Sequence, residues 1–373
     1  MPTGTIATTQ DCSDFLTGCL LMGTGGGGSF EEGEAALLQA LTDGLDLGWV
    51  DADDIDDSTL TATVYGNGSI APDDGTLDEL LRALHLSEPG SEDEAMLRAV
   101  TELGEYLGAE IGGLVPVELG AGNTPPPIVT AARLGIPVVD GDYAGRACPE
   151  EMQSTPFLAG KTSHPSVSVD PWGNVAVLAD TVNPYMFERI GKMLAVAAIL
   201  NPAVAATPLT GAEMKPIVVR GTLTRCLAIG RAIRRARDVG EDPVDAALGA
   251  AGGWRLFTGR VVRKEWEDRD GYMFGSVVVE SSDSHELKVW FKNENHITWL
   301  DGEPWVCSPD LVSLVHPTTG RAFTNTEIAE GHEVAVVGMP GLDVCRNPDF
   351  LDVATGPRYY GFDIDYQPIE TLV

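Results

Sequence analysis

The sequence predicts an α/β fold, with an N-terminal α/β domain that has a partly parallel sheet and a C-terminal α+β domain that contains a β-rich element. Residues 112–152 show the order strand, helix, strand, and a right-handed crossover makes two such strands parallel. Residues 255–340 instead show apolar runs separated by short turns, which is typical of antiparallel strands. A chain of 373 residues is long for one core, so we predict domains at 1–167 and 168–373.

The first motif in the N-terminal domain is the glycine-rich stretch GTGGGGSF at 23–30, which lies between two predicted helices. A Walker loop or a Rossmann fingerprint follows a strand, and a Walker loop also ends in Gly-Lys-Ser/Thr. Here Gly28 is followed by Ser29 and Phe30, so we expect no nucleotide. Two interpretations stay open: the N–H groups at the helix start bind an anionic ligand group, or the glycines form a packing turn.

The strand–helix–strand segment places charged residues at its strand ends. Glu118 and Asp140 each end a predicted strand, and prolines at 125–127 open the helix between them. The loop after the second strand contains Asp142, Arg146 and Glu150. Because ligands of open α/β sheets bind outside the carboxyl ends of the strands, this cluster predicts a functional site, although a solvated charged loop is the alternative.

The second half continues with alternating strands over 166–180, a helix over 184–200, and a strand, turn and basic helix over 216–237. With 56 Asp and Glu against 24 Lys and Arg, the formal charge is −32, which disfavours nucleic acid and anionic membranes as partners. The arginine cluster at 231–237 is expected to form internal ion pairs. Salt-adapted proteins carry such acidic surfaces; a stability that does not rise with sodium chloride would contradict this hypothesis.

The sequence also bears on location. No basic stretch followed by an apolar run stands at the amino terminus, and the longest apolar run, MLAVAAIL at 193–200, is far shorter than a membrane span. Six scattered cysteines without CxxC spacing favour reduced thiols, so we expect a cytoplasmic protein. The scattered histidines show no HExxH or HxH pair, which gives no support to a histidine-rich zinc site.

Five segments, in this order, resemble the S-methyl-thiohydantoin desulfurase family, a former family of unknown function associated with hydantoinase and oxoprolinase proteins. They are MGTGGGGSF (22–30), IPVVDGDYAGRACPE (136–150), VVRGTLTRCLAIGRAI (218–233), FKNENHITW (291–299) with CSPDL (307–311), and PRYYGFDIDYQPIE (357–370). The resemblance covers nearly the whole chain. Two positions depart from it: Cys148 replaces an aromatic residue, which favours a buried cysteine over a nucleophile, and GAGN (120–123) replaces GGxN.

The resemblance implies a hydrolytic desulfurase that acts on a thiohydantoin or a related cyclic ureide and releases sulfide or a thiol. Such chemistry needs an activated water and stabilisation of the charge that develops on sulfur or ring nitrogen. The predicted catalytic residues are Asp140, Asp142, Glu118 and Glu150. The predicted substrate-binding residues are Gly25, Gly26, Gly27, Gly28, Asn123, Arg146, Asn293 and Glu294, with His296 close enough in sequence to act beside the last two.

Two alternatives stay open. A divalent metal can activate the water, with Asp140, Asp142, Glu150 and His164 as candidate ligands. The chain can also be a non-catalytic, ligand-binding or accessory subunit of a hydantoinase or oxoprolinase system, because the sequence shows no strong nucleophile–base pair. A hydantoinase-type partner and a homo-oligomer are compatible with either alternative. Turnover by the purified chain alone would separate enzyme from accessory subunit.

Overall fold

Two larger sheets organise the described part of the chain, residues 3–68 and 77–373 of a computed structural model. The helices are α1 (Thr9–Met22), α2 (Phe30–Thr42), α3 (Leu77–Ala83), α4 (Glu92–Leu107), α5 (Pro125–Leu134), α6 (Thr155–Leu158), α7 (Pro184–Ala198), α8 (Gly211–Met214), α9 (Thr222–Val239), α10 (Pro243–Ala251) and α11 (Pro348–Phe350). The strands are β1 (Gly4–Ile6), β2 (Leu47–Trp49), β3 (Leu60–Gly66), β4 (Gly113–Leu114), β5 (Gly141–Asp142), β6 (Ser166–Val169), β7 (Val175–Leu178), β8 (Ala203–Thr210), β9 (Val219–Arg220), β10 (Trp254–Arg269), β11 (Tyr272–Glu280), β12 (Glu286–Lys292), β13 (Glu294–Leu300), β14 (Glu303–Cys307), β15 (Leu311–Val315) and β16 (Glu333–Met339).

The first sheet is mixed, with the strand order β4-β3-β8-β6-β7. β3 and β4 run parallel, whereas β3 with β8, β8 with β6, and β6 with β7 are antiparallel. This confirms the predicted partly parallel sheet. β8 comes from beyond residue 168 and lies beside β3, so the sheet joins strands from both sides of the predicted domain boundary.

The strands of the predicted βαβ unit are shorter than expected, although their direction is correct. The strand expected to end near Glu118 stops at Leu114, where Pro116 follows, and a proline cannot donate to the ladder. The stretch 136–140 makes only single parallel bridges, Leu114 to Val138 and Val50 to Val139. Helix α5 between them begins at Pro125, as predicted. Glu118 therefore lies in a loop just beyond the carboxyl end of β4.

The second sheet is the predicted β-rich element, and it is antiparallel throughout, in the order β14-β13-β12-β11-β10-β16-β15. Strands β12 and β13 form a tight hairpin in which Lys292 pairs with Glu294. Asn293 at its tip has φ +56, a left-handed conformation that asparagine tolerates better than most residues. The tip points Glu294 toward the glycine-rich loop of the first half.

Helices α1 and α9 pack against each other and hold the predicted basic cluster in ion pairs. Arg231 lies 2.6 Å from Asp11, and Arg234 lies 2.9 Å from the buried Asp14. The expectation of internal ion pairs is therefore confirmed for these two arginines. Within residues 3–68 and 77–373, no helix combines the length and the apolar character that a membrane crossing requires.

Candidate functional site

A buried polar cavity of about 110 Å3 lies where the mixed sheet, α7 and the β12–β13 hairpin meet. Six residues predicted for the site line it: Gly27, Glu118, Asn123, Glu150, Asn293 and Glu294. The remaining predicted residues do not: Gly25, Gly26, Gly28, Asp140, Asp142, Arg146 and His164. The cavity lies beyond the carboxyl ends of the parallel strands β3 and β4, which is where ligands of such sheets bind.

Glu118 is one of two buried glutamates in this cavity, and its carboxylate accepts two hydrogen bonds. Its Oε1 accepts from Asn123 Nδ2 at 2.8 Å, and its Oε2 accepts from the Cys148 backbone N–H at 2.7 Å. Burial raises the pKa of Glu118, although these two donors oppose that rise by favouring the ionised form. Glu118 is thus a buried carboxyl whose charged state has partners ready to stabilise it.

Glu294 at the hairpin tip is the second glutamate, and its carboxyl has fewer hydrogen-bond partners than that of Glu118. Its side chain is 2% exposed, and its Oε2 has no hydrogen-bond partner in the structure. Burial raises the pKa of Glu294 well above its ordinary value, and the nearby negative charge of Glu118 raises it further. Burial and the charge of Glu118 thus favour the protonated form of Glu294, whereas the two donors to Glu118 favour its ionised form.

The glycine-rich loop packs tightly against protein, and this bears on the two interpretations left open above. A Cβ on Gly26 would lie 1.9 Å from Glu294 Oε1, and one on Gly27 would lie 2.5 Å from the Cα of Gly120. Gly25, Gly27 and Gly28 also have positive φ values. Gly26 is explained by its close approach to Glu294, Gly27 and Gly28 by the 120–122 loop, and Gly25 by the side chains of Asn295 and Asn325. Of the four, Gly27 also lines the cavity.

An asparagine network ties the hairpin to this loop. The Asn295 N–H donates to the Thr24 carbonyl at 2.8 Å, and the Asn325 N–H donates to the Gly25 carbonyl at 2.6 Å. The Asn325 amide also donates to the carbonyl of Asn293 at 2.7 Å. Asn293 itself accepts from the Met273 N–H at 2.9 Å. The predicted residue Asn293 thus lies in the cavity wall and shapes the hairpin tip that carries Glu294.

Glu150 and Lys292 form a nearly buried ion pair at the outer wall of the cavity. Their atoms Oε1 and Nζ lie 2.7 Å apart, and the two side chains are 10% and 11% exposed. The second oxygen of Glu150, Oε2, has no partner. Beyond the pair lies an open groove of about 660 Å3 lined by aromatic side chains. Glu150 lines both spaces, so this ion pair separates the buried cavity from the surface.

The strand-end aspartates are engaged elsewhere in the fold. Asp140 accepts from the Thr224 N–H at 3.0 Å and from its hydroxyl at 2.6 Å, so it satisfies the start of α9. Asp142 is fully buried and accepts from the N–H groups of Ala144 and Gly145 at 2.8 and 2.6 Å. Burial raises the pKa of Asp142 to about 7. These residues support the loop between β5 and the cavity.

Arg146 and the two predicted histidines also lie outside the cavity lining. Arg146 donates to the Thr24 hydroxyl at 2.8 Å and to the Asn295 carbonyl at 3.1 Å, which ties the glycine-rich loop to β13. His164 Nε2 lies 3.4 Å from Asp180. His296 is buried under Tyr360, with 4.3 Å between ring centroids, and burial holds its pKa well below its usual range. His296 is therefore a neutral side chain packed in the second sheet.

The candidate metal ligands are not brought together. Asp140 faces Thr224, Glu150 faces Lys292, and His164 faces Asp180. Across the residues that the structure describes, no group of three His, Cys, Asp or Glu side chains is placed to share a metal ion.

The cavity also contains residues that the sequence did not single out as site residues. They are chiefly Tyr65, Glu151, Ser163, Glu188, Lys192 and Thr207. Cys148, for which the sequence favours a buried cysteine over a nucleophile, also lines the cavity. Burial raises the pKa of the Cys148 thiol well above its ordinary value, and Glu118 raises it further, which agrees with an unreactive thiol. The short KTS segment before Pro165 carries Ser163 but no recognisable motif. Only the folded chain brings it to β8 and α7.

Comparison with known proteins agrees with the resemblance found in the sequence. The model of the S-Me-THD-like N-terminal domain matches residues 10–180, and that of the S-Me-THD-like C-terminal domain matches residues 182–369. A protein from Chromobacterium violaceum, solved by X-ray crystallography as a structural genomics target, has a similar fold at a TM-score of 0.76 and 22% identity, covering 98% of this chain and 100% of that one. None of the curated proteins matches this chain.

Proposed function

This chain belongs to the S-Me-THD-like family, and we propose that it hydrolyses a thiohydantoin or a related cyclic ureide in the buried cavity, releasing sulfide or a thiol. The observation that carries the proposal is the pair of buried glutamates. Glu118 and Glu294 line the same small cavity; burial raises the pKa of both carboxyls, and the negative charge of Glu118 raises the pKa of Glu294 further. Two carboxyls in different protonation states are what general acid–base catalysis requires.

Their surroundings assign a role to each carboxyl. Glu118 accepts hydrogen bonds from Asn123 and from the Cys148 N–H, which favours its carboxylate and makes it the base. Glu294 has an unpartnered oxygen, and burial together with the charge of Glu118 raises its pKa well above its ordinary value, which makes it the acid. Gly26 lets Glu294 approach the loop without a steric clash, so the predicted binding loop acts here mainly by positioning.

With an S-methyl-thiohydantoin as substrate, Glu118 takes up and releases a proton during one turnover, and Glu294 gives up and regains one. Glu118 takes one proton from water, the hydroxide oxygen bonds to the ring carbon that bears sulfur, and Glu294 protonates the ring nitrogen. As the carbonyl forms, the hydroxyl proton returns to Glu294 and the carbon–sulfur bond breaks. The departing methanethiolate takes the proton held by Glu118. The products are the hydantoin and methanethiol, and both glutamates regain their starting states.

The proposal is tested by sulfide and thiol release from the purified chain alone. The substrates are 2-thiohydantoin and S-methyl-thiohydantoin acids, each run with untreated, chelated and metal-restored protein. Release that survives chelation supports glutamates acting as acid and base. Release that chelation abolishes and a divalent metal restores would assign the activation of water to a metal and overturn this division of roles.

The same experiment also tests the alternative that the chain is an accessory, ligand-binding subunit. If the folded chain binds these rings, measured by calorimetry, but releases nothing under any condition, it is a ligand-binding subunit and the proposed hydrolysis is wrong. If it neither binds nor turns over any of the rings, the substrate class is wrong. Addition of a hydantoinase-type partner then shows whether turnover needs a second chain.

A further inference from the structure

We propose that Ser163, activated by Glu151, is a nucleophile that attacks the ring carbon, so that the reaction proceeds through a covalent intermediate. Both residues line the cavity, and the Ser163 hydroxyl donates a hydrogen bond to Glu151 Oε1. A hydroxyl paired with a carboxylate base in a ligand cavity is the arrangement that nucleophilic catalysis uses. The inference rests on the proposed function for its substrate, but not for its geometry.

Two hydrogen bonds from Thr207 also hold Ser163 in place. The Thr207 hydroxyl donates to Ser163 Oγ at 3.0 Å, and the Thr207 backbone N–H donates to the Ser163 carbonyl at 3.0 Å. Ser163 and Thr207 are only 5% and 4% exposed. Thr207 has φ +53, an uncommon conformation for a β-branched residue. A second donor on Oγ stabilises the negative charge that develops there when the proton leaves.

The proposed base, Glu151, also contacts Glu188, and burial raises its pKa. The Glu151 N–H donates to Glu188 Oε2 at 3.1 Å, and the other oxygen of Glu188 accepts from the Tyr272 hydroxyl at 2.6 Å. Burial raises the pKa of Glu151 to about 8; the Ser163 hydroxyl opposes this rise and the negative charge of Glu188 adds to it. A carboxylate of this basicity accepts a serine proton far better than an ordinary surface glutamate.

In this route the attack by Ser163 replaces the first attack by water, and Glu118 activates water only for the second step. The Ser163 proton passes to Glu151 as Oγ bonds to the ring carbon, and Glu294 protonates the ring nitrogen. The ring nitrogen then returns that proton to Glu294, the carbon–sulfur bond breaks, and methanethiolate takes the proton from Glu151. Water, deprotonated by Glu118, next attacks the same carbon while Glu294 protonates the ring nitrogen. As the carbonyl forms, the hydroxyl proton returns to Glu294, and the serine oxygen leaves with the Glu118 proton.

The test combines a probe that needs no thiohydantoin with the turnover assay. Methanesulfonyl fluoride, a small sulfonylating reagent, is expected to label wild-type Ser163, with a rate that rises with pH around 8. Glu151→Gln is expected to slow labelling by about 10-fold or more. In turnover, Ser163→Ala is expected to lower thiol release by at least about 100-fold. A protein mass increased by the ring should appear in acid-quenched wild-type samples and not in Ser163→Ala.

Ser166→Ala is the matched control, because Ser166 is equally buried, at 5% exposure, but does not line the cavity. It is expected to keep both labelling and release. Normal release by folded Ser163→Ala overturns the nucleophile and leaves the proposed hydrolysis intact. Labelling at Ser163 without release of thiol or sulfide supports the nucleophile and overturns the proposed substrate. Labelling that spares Ser163 while release continues also overturns the nucleophile.

Discussion

Two acidic regions of this molecule look alike in sequence and differ in the fold. The cavity carries Glu118 and Glu294, and the turn around β5, at 140–145, carries Asp140 and Asp142. In the turn, Asp140 accepts two hydrogen bonds from Thr224 and none of its oxygens faces the cavity lining. In the cavity, Glu294 keeps one oxygen without a partner.

The comparison teaches that a carboxylate's role follows from its donors more than from its position at a strand end. Asp140 lies outside the cavity lining and both of its oxygens accept from Thr224, so it stabilises local structure. Glu294 lines the cavity with an unpartnered oxygen and a pKa raised by burial, so it is available for proton transfer. The four predictions below separate these two roles, beginning with the largest expected effect.

Glu294→Gln gives the largest loss of activity, because it removes the proposed acid while keeping the size of the side chain. We expect thiol release to fall by at least about 100-fold and the melting temperature to stay near that of the wild type. Glu241→Gln, on an exposed residue, is the control. Steady-state kinetics and thermal unfolding measure both quantities. Near-normal turnover in Glu294→Gln would remove the cavity carboxyl from the mechanism.

Gly26→Ala tests whether the glycine-rich loop acts by positioning Glu294. The added Cβ would lie 1.9 Å from Glu294 Oε1, so the carboxyl must move. We expect thiol release to fall by about 10-fold, since misplaced catalytic groups lose rate steeply. Gly249→Ala is the matched control, because its Cβ would meet nothing within 4 Å and the residue lies in α10. Equal activity in the two variants would contradict a positioning role.

Asp140→Asn is expected to lower stability without a matching loss of turnover. The substitution weakens the acceptor for the Thr224 N–H and hydroxyl at the start of α9. By analogy with helix capping, we expect a loss of about 1 kcal/mol in the free energy of unfolding, measured by urea denaturation. kcat for thiol release should stay within about 3-fold of wild type. A large fall in kcat with unchanged stability would restore Asp140 as a catalytic residue.

Asp142→Asn should change how stability depends on pH. The pKa of Asp142 is raised by burial from 3.8 to about 7, so the folded state binds its proton more tightly than the unfolded state. This contribution to stability is present below pH 4 and is lost as pH rises toward 7. Relative to Asp142→Asn, the wild type should therefore lose stability between pH 4 and 7. Parallel pH profiles of the two proteins would contradict the raised pKa.

Much of the fold and part of the site were predictable from the residues in order along the chain. The helix-to-helix position of GTGGGGSF, the helix beginning at Pro125 and the antiparallel region after residue 254 follow from local periodicity and from proline and glycine. Family membership also follows, because five segments in a fixed order are specific. Glu118, Asn123 and Glu294 were likewise predicted from the sequence as site residues, and they line the cavity.

Tertiary structure alone decided which acidic groups share the cavity and which support the turn. Glu118 meets Glu294 because the hairpin tip of the second sheet packs on the glycine-rich loop, and Ser163 meets Thr207 because β8 joins the first sheet. Local sequence shows that a residue is acidic or carries a hydroxyl. Its pKa and its reactivity depend on burial and on donors that come from distant parts of the chain, and these exist only after folding.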